Sequence, residues 1–169
     1  MTESGRRRPG PEDSGGSGLV PVDVPAARPT GVDRLGALVG EWVVEASFPL
    51  DPPATVSGRT TFEWLEGRFF LVQRWTVDHP EAPDGLAMIG AAEGGTFAQH
   101  YYDSRGVHRI YEMSLEDEVW RLWRDSPGFA QRFVGRFSDD RQVIAGAWEK
   151  SPDGVRWEHD FAMTYRKVA

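Results

Sequence analysis

The links between the apolar runs of this chain are very short, and that constrains the fold more than any other feature. From Glu41 onward, short stretches in which large apolar and polar residues alternate are separated by compact reversal signals. These are Glu66-Gly67, Gly94-Gly95, Asp103-Ser104-Arg105-Gly106, Ser126-Pro127-Gly128, Asp139-Asp140 and Ser151-Pro152-Asp153-Gly154. Gly supplies positive φ, Pro presets φ, and Asp or Ser bonds its own backbone, so each signal can reverse the chain within a few residues. A parallel crossover needs about a dozen residues or more, so such links join antiparallel neighbours only. The runs fall at 41 to 48, 55 to 65, 68 to 78, 85 to 92, 96 to 103, 107 to 115, 118 to 124, 129 to 137, 142 to 150 and 155 to 167, which makes ten strands. An open sheet of that size exposes two unpaired edges, and closure removes them. The expected fold is therefore all-β: a ten-stranded antiparallel up-and-down barrel. Before it, Val32, Leu35, Leu38 and Val39 have helical spacing and end at Gly40, which predicts a short N-terminal helix over 33 to 39 plugging the barrel.

Residues 1 to 30 read differently: ten are Gly or Pro and almost none is large and apolar, so they are expected to form a disordered tail before a barrel domain over 31 to 169. The tail carries four acids and four bases, so the net charge of −7 belongs to the barrel, which argues against nucleic acid as a partner. Arg6, Arg7 and Arg8 are followed by a polar Gly/Pro-rich stretch where an export signal would be apolar. The chain has no cysteine, which removes disulfides, thiolate catalysis and cysteine metal sites. No stretch reaches the roughly 18 to 20 apolar residues of a membrane-crossing helix, so no membrane partner is expected and the location is read as cytoplasmic.

The short helix at 33 to 39, Gly40-Glu41-Trp42 at the opening of the first strand and the last strand at 157 to 168 resemble the calycins. That superfamily includes lipocalins, fatty-acid-binding proteins and nitrobindin-type haem barrels. The chain looks more closely like an uncharacterised bacterial lipocalin-like family, through Tyr102-Asp103-Ser104-Arg105-Gly106, Ser138-Asp139-Asp140 and the segment from Trp148 to Trp157. The resemblance covers residues 33 to 168 and implies a calycin-like barrel with an internal ligand. Fold alone does not assign an activity.

Candidate ligand-binding residues follow from alternation. Period two groups His159 with Trp157, Phe161, Met163 and Tyr165, which predicts that all five point into the barrel. The nitrobindin resemblance implies a haem ligand at that place in the last strand, so His159 is the one candidate metal ligand, and only if haem binds. The first strand, however, lacks the extra glycines that follow the Trp in nitrobindins. Arg74 is a candidate anchor for a carboxylate if it faces inward, as in fatty-acid-binding barrels, and a stem packed on the outer surface is the competing placement. Gln131, between Phe129 and Phe133, is an inward polar group. Trp148 belongs to a set of seven Trp large enough to wall a pocket. His79 lies in a loop, and His100 and His108 flank one turn without an evident third ligand.

No nucleophile elbow, phosphate loop, dinucleotide fingerprint or His-Glu-x-x-His motif occurs. Three readings stand. The favoured one is non-catalytic binding of a small hydrophobic molecule inside the barrel, with no cofactor. The second is a haem barrel acting on nitrogen oxides or peroxides. The third is an enzyme of secondary metabolism that uses the barrel as a reaction chamber.

Overall fold

A computed structural model describes residues 27 to 168 of the protein, so the expected tail lies almost wholly outside the described residues. Ten strands follow one another: β1 (Gly40–Phe48), β2 (Ala54–Trp64), β3 (Phe70–Val77), β4 (Gly85–Ala91), β5 (Phe97–Asp103), β6 (His108–Glu116), β7 (Val119–Arg124), β8 (Ala130–Phe137), β9 (Val143–Ser151) and β10 (Glu158–Lys167). Each pairs antiparallel with the next, and β10 pairs with β1, so the barrel is closed and no strand keeps a free edge. The architecture is the expected all-β barrel. Among the described residues no helix is long and apolar enough to cross a membrane.

The helical segment is a 3-10 helix, Val32–Leu38, and not an α-helix. Its three buried residues, Val32, Leu35 and Leu38, are spaced by three, which lines them up on one face at three residues per turn. Gly40 then takes φ 130°, a turn a side chain would strain, and sends the chain into β1. The helix closes one end of the barrel over Trp42, Phe97, Met113, Leu115 and Phe137. Trp42 is fully buried, donates from Nε1 to the Leu38 carbonyl at 2.8 Å and meets Phe137 edge to face at 6.5 Å.

The last strand starts three residues later than the alternation suggests. Asp153 Oδ1 accepts the backbone N–H groups of Val155 and Arg156 at 2.9 and 2.8 Å, which extends the turn and leaves Trp157 before the strand. Those donors hold the Asp153 carboxyl at a pKa of about 2. A second irregularity follows: His159 pairs with Glu149 but Phe161 pairs with Trp148, so Asp160 is an extra residue in a β-bulge.

Candidate functional site

The opposite end of the barrel is open, and a cavity of about 430 Å³ leads inward from it. Ala82, Pro83, Arg105 and Phe129 stand at the mouth, on the loops and strand ends of that side. The walls are aromatic. Trp148 meets Tyr111 at 5.5 Å, Phe133 at 5.3 Å and Phe161 at 6.4 Å, and Phe161 lies 4.8 Å from Phe48. Trp75 stacks on Tyr101 at 5.1 Å and donates from Nε1 to the Pro83 carbonyl at 2.9 Å. That stack needs Gly85, where a Cβ would lie 2.2 Å from Trp75 Cζ2 and 2.4 Å from the Tyr102 carbonyl. Deeper in, Trp120 packs against Phe62, Phe133 and Tyr165 at 6.0, 5.2 and 5.6 Å. Burial keeps the Tyr165 hydroxyl in its neutral form, with its pKa raised.

Four charged residues line the cavity, all at exposed or half-buried positions, and three of them are paired: Arg59 with Glu41 at 2.6 Å, Arg105 with Asp103, and Asp160 with Lys150. Asp103 accepts from Arg105 at 2.6 Å, from the Tyr101 hydroxyl at 2.7 Å and from the backbone N–H groups of Arg105 and Val107 at 3.0 and 3.3 Å. The Arg105 bond dominates, and the carboxyl is held well below the usual carboxylate range. Lys150 Nζ bonds Asp160 Oδ1 at 2.9 Å, which raises the lysine pKa. Arg109 is different. It donates to Gln131 Oε1 at 2.8 Å and to Tyr111 Oη at 3.4 Å, and no carboxylate among the described residues lies within ion-pair reach of it. Gln131 Oε1 also accepts from the Tyr111 hydroxyl at 2.8 Å.

The residues expected from the sequence divide. Gln131, Trp148 and Phe161 line the cavity, and Met163 and Tyr165 join them. His159 does not. The bulge at Asp160 breaks the period of two, so His159 is exposed opposite Glu149 on the outer surface, and Asp160 takes the inward place. Trp157 also leaves the cavity and lies on the outer surface beneath the Arg132 guanidinium, 4.2 Å from its ring centre, where Arg132 also bonds Glu149 at 2.5 Å. Arg74 is exposed on the outer face, and its inward neighbour Gln73 lines the cavity instead. His100 and His108 stack at 6.3 Å on the outside, with Tyr102 stacked 4.7 Å from His108. No group of three or more His, Asp or Glu among the described residues could hold a metal ion. A haem held by a cavity histidine does not fit the residues present, because no histidine lines the cavity.

Alternation groups Gln73 with the core-like set Phe69, Leu71, Trp75 and Val77, but it does not mark Gln73 as a site residue, and Gln99, Arg109 and Tyr111 are not among the residues it marks. The signal was available: Gln73 shares its parity with Leu71 and Trp75, Gln99 with Phe97 and Tyr101, and Arg109 with Tyr111, Met113 and Leu115. A polar residue that keeps the parity of a core face is an inward polar residue.

No family model matches the chain, and no curated protein matches it. Among solved structures it is similar to the crystal structure of Rv2717c from M. tuberculosis, with a TM-score of 0.61 and 13% sequence identity over 85% of this chain and 100% of that one. At that identity the likeness shows the barrel fold alone.

Proposed function

We propose that the protein binds a small, largely apolar molecule inside the barrel without transforming it. The observation that carries this is the cavity of about 430 Å³, walled by Trp75, Tyr111, Trp148 and Phe161, plugged at one end and open at the other. Pockets of this size with mostly aromatic walls and a few polar groups are the usual setting for a small guest. The uninterrupted meander and its N-terminal plug also support placing the chain among the calycins, where an internal ligand is the rule.

The test is titration of the full chain with the neutral fluorophore N-phenyl-1-naphthylamine, beside Ala46→Trp, which builds an indole into the cavity from the inward face of β1. Fluorescence enhancement with the native chain and its loss in Ala46→Trp, at an unchanged melting temperature, is the expected result. Equal enhancement in both would place the probe on the outer surface and refute the reading.

A further inference from the structure

Three glutamines face the cavity from three strands: Gln73 on β3, Gln99 on β5 and Gln131 on β8. They are 8%, 4% and 6% exposed. A glutamine amide offers two N–H donors and an acceptor oxygen, and burying one without partners is unfavourable. The barrel satisfies these amides only in part. Gln73 Nε2 makes one long bond, 3.3 Å to Thr60 Oγ1. Gln131 uses its oxygen for Arg109 and Tyr111, and its nitrogen has no described partner. Gln99 bonds no described residue, and its Oε1 is buried without a partner. Buried Trp120 likewise has no acceptor for its indole N–H. None of these groups is charged, and the charged side chains that line the cavity are all at exposed or half-buried positions.

We infer that the cavity is built for an aromatic molecule carrying neutral hydrogen-bonding groups, such as a hydroxyl, carbonyl or amide, and that Gln99 reads one of them. The inference rests on the proposed binding function and narrows it. A plain hydrocarbon or acyl chain fills the same volume but leaves the Gln99 amide and the Trp120 N–H unpaired. A guest with neutral donors and acceptors completes them. The terminal torsion of glutamine is broad, so the Gln99 amide can turn either its oxygen or its nitrogen toward the guest.

The experiment compares naphthalene with 2-naphthol, which share a body and differ by one hydroxyl, using tryptophan quenching of the full chain and of Gln99→Leu. Hydrophobic transfer alone favours naphthalene, so a preference for the naphthol reports hydrogen bonding. The native chain is expected to bind 2-naphthol about tenfold more tightly, the effect of one good buried hydrogen bond. Gln99→Leu should bind the two within about twofold and melt at or above the native temperature, because it removes an unpaired amide from an apolar site. Equal binding of the pair by the native chain, or a preference that survives in Gln99→Leu, overturns the inference. So does a loss of folding in that variant, which would make the amide structural. If neither probe binds, the binding function itself fails, an outcome distinct from equal binding.

Discussion

Replacing Trp42 by Ala tests the architecture where the plug meets the barrel. Trp42 is fully buried beneath the 3-10 helix, and truncating such a side chain typically costs about 3 to 5 kcal/mol through lost burial and the void left behind. Two further contacts go with it. The Leu38 carbonyl loses the indole N–H at 2.8 Å, which adds about 1 kcal/mol, and Lys167 loses the ring that its ammonium covers at 5.2 Å. In a domain of this length each kcal/mol shifts the midpoint by about 3 to 4 °C, so Trp42→Ala should melt about 12 to 24 °C lower. Circular dichroism melts of both chains at equal concentration measure this, and urea titration should show a lower midpoint with an unchanged slope. Trp42→Phe keeps most of the volume but not the N–H, and should fall between the two. A drop below about 5 °C for the alanine variant would show that the plug does not depend on this residue and would refute the reasoning.

Three other outcomes follow from the site. The Asp103 carboxyl is held below its ordinary value by Arg105, so its contribution is full at neutral pH and is lost as pH falls below about 4. Asp103→Asn should therefore be less stable by about 2 kcal/mol at pH 7, with the gap narrowing at pH 3. A gap that widens in acid would reverse that sign. His159→Ala should leave both stability and probe binding unchanged within about 0.5 kcal/mol, because the side chain lies on the outer surface, and a haem-induced Soret shift lost in that variant would contradict its placement. A chain starting at Gly31 gives up the Arg28 contacts, 2.7 Å to exposed Asp33 and 3.0 Å to the Arg68 carbonyl, and should melt within a few degrees of the full chain, as about 1 kcal/mol implies. A larger loss would show that the segment ahead of the plug contributes more to stability than these Arg28 contacts.

The barrel was legible in the sequence because closure is a matter of counting. Turn residues recur at short intervals, each link excludes a parallel crossover, and ten alternating runs must hide two edges. Two details were lost. Val32, Leu35 and Leu38 are compatible with either helix type over so few turns, so their spacing does not choose between them. The start of β10 depends on Asp153 capturing two backbone N–H groups, a local bond that a polar turn sequence permits but does not require. The site was legible in parity at Gln131 and Phe161 and in the set of seven Trp at Trp148, and failed where one residue was inserted. Trp157 and His159 share the parity of Phe161 in sequence and lose it in space.

That failure gives a sharp test of the bulge. His159 and Phe161 oppose Glu149 and Trp148, which are adjacent on β9, so Asp160 is the residue without a place in the ladder. Deleting Asp160 should therefore yield a regular strand in the same register, with Phe161 inward and His159 still outward. Only the ion pair with Lys150 at 2.9 Å disappears, and because the lysine is partly exposed its loss should cost no more than about 1 kcal/mol. Deleting Ala162, two residues on, removes one residue from an unbroken run. Either Phe161 or the whole segment from Met163 must then turn outward, since a slip of one reverses every facing. Exposing Phe161 alone costs about 2 to 3 kcal/mol, and the lost contacts with Phe48 and Trp148 add to it. The melting temperatures of the two deletions should thus differ by about 10 °C, with the Asp160 deletion near native. Equal destabilisation would mean that Asp160 holds a place in the ladder after all, and that the outward turn of His159 needs another cause.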